Sequence, residues 1–214
     1  MPDCCTGPCS SDKPPVDARY RRILWMALVV NAGMFVVELI GGWHAGSVSL
    51  LADAVDFFGD AGNYAVSLFV LGLAPVWRSR TALFKGIIMG SYGLLVLGSA
   101  AYHLASGIVP ESSTMGAIGF LALVANSSVA ALLYAYSAGD ANMRSVWLCS
   151  RNDAIGNIAV ILAALGVYGT GSGLPDIVVA TLMGTLGLTG AWSVVKHARI
   201  ELATKIIAPL DTKI

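Results

Sequence analysis

The sequence predicts an all-α fold, a polytopic membrane protein of six transmembrane helices. Composition, segment length and the placement of charge all lead there. Of 214 residues, 56% are apolar and 12% charged, and the mean hydropathy is +0.73. Soluble domains carry about a quarter charged residues. A span needs about 20 apolar residues. After a polar leader the chain divides into six such segments: Ile23 to Trp43, Ser47 to Leu73, Ala82 to Gly107, Thr114 to Ser137, Ser145 to Val167 and Leu174 to Val195.

The cations alternate between connections. Lys13, Arg19, Arg21 and Arg22 precede the first segment; Arg78, Arg80 and Lys85 surround the second connection; Arg144 lies in the fourth; Lys196, Arg199, Lys205 and Lys213 follow the sixth. The first, third and fifth connections hold no Lys or Arg. A missed or invented helix would scramble this alternation, and the positive-inside rule puts both termini in the cytoplasm. Only Arg151 breaks the pattern. The formal net charge is zero and no nucleic-acid partner is expected.

The leader, residues 1–18, is polar, contains proline and is expected to be a disordered cytoplasmic segment. It holds Cys4, Cys5 and Cys9. Reduced thiols so close together suit a soft or borderline metal; the other reading is incidental cysteines in a tail, because a fourth ligand is missing. The first apolar run is too long for a signal peptide and has no small-residue cleavage site, so it is expected to stay as a span. In it Asn31 and Glu38 fall seven residues apart, nearly on one face. Glu38 suits either proton or metal binding or a hydrogen bond to a neighbouring helix, and His44 is expected to face solvent.

The second segment carries three aspartates. At about 100° per residue Asp53, Asp56 and Asp60 fall within an arc of roughly 60°, one acidic stripe on an apolar cylinder. An ionisable group deep in a bilayer costs a few kcal/mol or more unless it faces a bundle interior, and aligned like charges repel. Protons or a metal cation would compensate them; the structural alternative is carboxyls that stay protonated and hydrogen-bond to other helices.

Segments three and four read as scaffold. Gly86, Gly90, Gly93 and Gly98, then Ser127, Ser128 and several alanines, favour close helix approach. Asn126 is placed to hydrogen-bond across helices and His103 to sit near the outer interface.

The fifth segment repeats the spacing of the second, with Cys149 and Asp153 four residues apart on one face. At 1.5 Å per residue they lie about 7 to 14 Å in from the inner side, and Asp56 and Asp60 about 14 to 20 Å from the outer side, so the pairs can meet near the midplane. Together they supply four groups, enough for a tetrahedral cation site. Asn157 continues that face as an accessory polar group, with Asp53 and Glu38 as further accessory candidates. Arg151 points some 200° from Cys149, toward the cytoplasm. The sixth segment opens with Pro175 and Asp176, a helix-start pattern that gives Asp176 a structural role. The domain reading is thus 1–18 leader, 19–199 six-helix transport domain and 200–214 short cytoplasmic tail, with too few residues after Lys196 for a cytoplasmic domain.

The stretches NAGMFVVELIGGWHAGSVSLLADAVDFFGDAGN, CSRNDAIGN and GLPDIVVATLMG resemble the first two, the fifth and the start of the sixth helices of the cation diffusion facilitators. The resemblance implies divalent-metal/proton antiport, with paired ligands on the second and fifth helices. Carried over, the metal ligands are Asp56, Asp60, Cys149 and Asp153. The family usually has His or Asp where Cys149 stands, and usually a C-terminal cytoplasmic domain, so this chain resembles a short form without it. No prosthetic group is implied; the cargo is Zn²⁺, or Cd²⁺ or Co²⁺, moved out of the cytoplasm by a homodimer in the bacterial inner membrane. Binding requires deprotonated thiolate and carboxylates, so the ligands themselves can couple metal to proton movement. Two alternatives remain: a non-transporting interaction or regulatory protein on the same scaffold, and a membrane metallohydrolase, for which no separate general base is recognisable. An enzyme is not expected.

Overall fold

The computed structural model describes residues 18–70, 75–135 and 141–207. They form α1 (Ala18–Ala45), α2 (Val48–Ala65), α3 (Pro75–Ser106), α4 (Ser112–Tyr134), α5 (Ala141–Thr170) and α6 (Leu174–Ile207). Beyond Ala65, α2 widens into a π-helical turn over Val66–Val70. No strand occurs among the described residues. Each predicted segment coincides with one helix, although residues 71–73 of the second and 136–137 of the fourth lie outside the described residues. α5 and α6 run past their apolar stretches, since backbone hydrogen bonds carry a helix through polar flanks as well.

Among the described residues five helices are long and apolar enough to cross a membrane, α1 and α3 to α6. The protein is an integral membrane protein. α2 falls short of that apolarity, and its place in the bundle explains why. It is packed against all five other helices. Its aspartates therefore face protein rather than lipid, the condition under which carboxyls are tolerated at membrane depth.

Around α2 the most extensive helix pair is α3 with α6, followed by α4 with α5 and α1 with α2. Small residues set the α3 to α6 distance. A Cβ on Gly86 would lie 2.9 Å from Val195 Cγ2, and one on Gly93 3.7 Å from the Gly184 carbonyl oxygen. Gly98, by contrast, would meet nothing within 4 Å.

The three connections predicted to be cation-free share one construction. α1, α3 and α5 each end on a left-handed glycine, Gly46, Gly107 and Gly171, with φ of 63°, 64° and 62°. That conformation closes a helix C-terminus at little cost only for a residue without Cβ. The turns are also packed on one another: the Glu111 amide donates to the Ala45 carbonyl at 2.8 Å, and a Cβ on Gly173 would lie 2.3 Å from the Ile108 carbonyl oxygen. Ser113 and Thr114 hydroxyls donate to the exposed Glu111 carboxylate, at 2.6 Å each, and hold it below the usual carboxylate range.

Asp176 is structural, as predicted, but the helix it serves is α2. Its buried carboxylate accepts from the Ser47 hydroxyl at 2.7 Å, the Val48 amide at 2.8 Å and the Ser49 amide at 3.0 Å. A negative charge at a helix N-terminus satisfies free amides and opposes the macrodipole favourably. Ser47 completes the cap by accepting from the Leu50 amide.

Candidate metal centre

The C-terminal half of α2 faces α5. Asp60, two turns below Asp53, is buried at 4% exposure and its carboxyl lies within hydrogen-bonding reach of Asp153. The Tyr64 phenol, one further turn along α2, donates to Asp60 Oδ2 at 3.1 Å and pairs with the Ser150 hydroxyl at 2.8 Å. Ser150 directly follows Cys149, so the helical backbone brings Cys149 to the same level of α5; its side chain lies outside the described residues. Asp56 and Asp153 are half-buried. Among the described residues no three His, Cys, Asp or Glu side chains converge as a group. The structure thus brings Asp60 and Asp153 together as a pair. Cys4, Cys5 and Cys9 lie outside the described residues.

Asp53, Asn157 and Glu38, the accessory candidates, belong to a second network. The Asn157 amide donates to Asp53 Oδ2, and the Asn126 amide donates to Asn157 Oδ1 at 3.0 Å. Glu38 lies within hydrogen-bonding reach of Asp53. The acidic stripe of α2 is therefore divided: Asp53 turns to α1 and α5, Asp60 to α5 two turns closer to the cytoplasmic side predicted from charge. Asn31 shares the buried face with Glu38 and donates to its own helix, at the Ala27 carbonyl.

Lys85 is a cation that acts on this site. Counted from sequence as a connection residue, it sits in α3, with its alkyl stem where a Cβ on Gly62 would meet Cδ and Cε at 3.1 Å. Its ammonium donates to Asn63 Oδ1 and acts electrostatically on Asp60. Arg151 is exposed, with its guanidinium 5.3 Å from the Trp147 ring centroid. Tyr64 and Lys85 were missed by sequence reasoning. The i, i+4 spacing of Asp60 and Tyr64 was a signal for the first; nothing local marked the second.

Chemically, the site offers paired carboxyl oxygens between two helices, a phenol that orients one of them, and an ammonium at the edge. Such a pair binds a cation or a shared proton in low-dielectric surroundings. Residues 24–203 match the family model of the cation efflux transmembrane domain. The chain belongs to the cation diffusion facilitators. This facilitator is 28% identical over 215 residues to Zinc transporter ZitB of Escherichia coli K12, covering 94% of this chain and 68% of ZitB. It is 25% identical to the metal cation efflux system protein CzcD of Cupriavidus metallidurans, over 83% of this chain and 60% of the relative. A Bacillus subtilis relative, named cadmium, cobalt and zinc/H(+)-K(+) antiporter, is also 25% identical, over 83% of this chain and 62% of its own length. The family is one of transporters, in keeping with the expectation of no enzymatic activity.

Proposed function

We propose that this facilitator exports a divalent transition-metal cation, Zn²⁺ and also Cd²⁺ or Co²⁺, from the cytoplasm in exchange for protons. Asp56, Asp60, Cys149 and Asp153 are the ligands in this reading. The observation that carries it is the meeting of the Asp60 and Asp153 carboxyls between α2 and α5 in the protein interior. A buried and a half-buried carboxyl placed that close repel unless a cation or proton lies between them, so the pair exchanges one for the other. Relatives named for zinc, cadmium and cobalt support the choice of cargo. The Tyr64 phenol, donating to Asp60, orients that carboxyl in the way outer partners position metal ligands. A homodimer in the bacterial inner membrane, both termini cytoplasmic, completes the proposal; the cation-free outer connections support that orientation.

Zinc flux into proteoliposomes under a pH gradient tests it. Unmodified protein is expected to accumulate zinc, and Asp60→Ala and Asp153→Ala to abolish accumulation while remaining folded by circular dichroism. Gradient-driven flux that survives both substitutions would remove these carboxyls from the transport path. Absence of flux from unmodified protein would favour a non-transporting role.

A further inference from the structure

Glu38 and Asp53 are both fully buried, at 0% exposure. Among the described residues, neither Glu38 oxygen meets a donor, and neither does Asp53 Oδ1. The two carboxyls nevertheless lie within hydrogen-bonding reach of each other. Buried polar atoms almost always have partners, and a buried ionised carboxylate without one is strongly disfavoured. A proton on one carboxyl removes the problem, since it turns two facing acceptors into a donor and an acceptor.

The amides around the pair fix what it can hold. Asn126 on α4 donates to Asn157 on α5, which donates to Asp53 on α2, which faces Glu38 on α1. Asn157 thus turns its N–H groups toward the carboxyls, while its oxygen is occupied by Asn126. A metal ion would need that oxygen or another; a proton needs only the two carboxyls. The titratable groups facing Glu38 are Asp53 and Asp56 from α2 and the half-buried Tyr92 phenol from α3, while α4 and α5 contribute the neutral Asn126 and Asn157 amides.

We propose that Glu38 and Asp53 form a proton-binding site separate from the metal ligands, holding one proton between α1 and α2. Asp53 shares a rigid helix with Asp56 and Asp60. A shift of α2 against α1 that opens the metal site also parts Asp53 from Glu38. The shared proton then has one carboxyl instead of two and is released, and a proton rebinds when the helices close. Metal movement and proton movement are thereby linked without a common ligand.

Only the flux measurement below rests on the proposed transport activity. In metal-free protein in lipid nanodiscs, infrared titration is expected to show a protonated-carboxyl C=O band that disappears as pH rises. Glu38→Gln and Asp53→Asn are each expected to weaken that band, and to remove it in an Asp56→Asn, Asp60→Asn and Asp153→Asn background, where the α2–α5 carboxyls contribute none. A band unaffected by either substitution, or missing from unmodified protein at every pH, overturns the site whether or not the protein transports zinc. In proteoliposomes Glu38→Gln is expected to bind zinc within about twofold of unmodified protein while protons moved per zinc fall by about half or more. An unchanged proton-to-zinc ratio in both variants would make the pair structural.

Discussion

The two ends of α2 are built on opposite principles. The N-terminal end is closed by a neighbour: Asp176 of α6 takes the Val48 and Ser49 amides and the Ser47 hydroxyl, beneath a turn fixed by left-handed Gly46. The C-terminal end has a π-helical turn over Val66–Val70, a Tyr64 phenol shared between Asp60 and Ser150, and the Lys85 stem laid over Gly62. π-Helical turns within helices occur frequently at functional sites. The contrast teaches that the same helix is capped at one end and, at the other, meets polar and charged side chains of α3 and α5.

Substituting each end separately puts this division to the sharpest test. Asp176→Ala strands two amides and a hydroxyl in the interior, each worth roughly 1–3 kcal/mol when buried unsatisfied. The expected outcome is a large fall in thermal unfolding temperature in detergent, with the zinc affinity of the surviving folded fraction unchanged. Tyr64→Phe at the other end removes one hydroxyl and is expected to cost about 1 kcal/mol of stability. Its main effect is on metal: loss of an orienting partner weakens zinc affinity by about tenfold or more, read by calorimetric titration. If Asp176→Ala weakened zinc binding more than Tyr64→Phe, the ends would not be functionally distinct.

A smaller effect is expected at Lys85. Its ammonium stands beside Asp60 and repels an arriving cation, so Lys85→Met should tighten apparent zinc affinity by about two- to fivefold at low ionic strength, less at high salt. Gly62→Ala should move affinity the same way by a smaller factor, because its Cβ pushes against the Lys85 stem at 3.1 Å. Affinities that stay equal to the unmodified protein in both variants, at low salt, would assign Lys85 to helix packing.

What was legible from sequence divides along the same helix. Apolar length and cation alternation were enough for six helices, because a bilayer forces long, internally hydrogen-bonded segments. The i, i+4 spacing put Asp56 with Asp60 and Cys149 with Asp153, two on a face, since helix geometry fixes which side chains share a face; of these four, the described side chains bring Asp60 and Asp153 together. Local pattern could not assign Asp53 to Glu38 and Asn157 rather than to the metal face: all three aspartates share one stripe, and their partners are set by which helix packs on each turn. Asp176 was read as a residue of its own helix start for the same reason. Its partners, Ser47, Val48 and Ser49, lie more than 120 residues away in sequence. Lys85 shows the converse: a charge read as flanking a connection reaches inward along α3.

The least change is expected at Cys149, the one soft donor assigned to the inner end of α2. Thiolate favours Cd²⁺ over Zn²⁺ relative to imidazole, whereas the aspartate oxygens are hard donors that distinguish the two less. Cys149→His keeps a metal-binding side chain on the α5 turn that carries Ser150 and precedes Asp153, so transport is expected to persist. The zinc-to-cadmium flux ratio should rise by a few-fold, equivalent to about 1 kcal/mol of differential binding. Competition flux in proteoliposomes with both ions present and pH fixed on each side measures that ratio directly. Cys149→Ala gives the decisive comparison. A vacant position should slow both ions and also raise the ratio, because the loss falls hardest on the ion that prefers sulfur. If Cys149→Ala matched the unmodified protein in rate and ratio, the α5 contribution would reduce to Asp153, and selectivity would rest on the α2 carboxyls and the phenol that orients them.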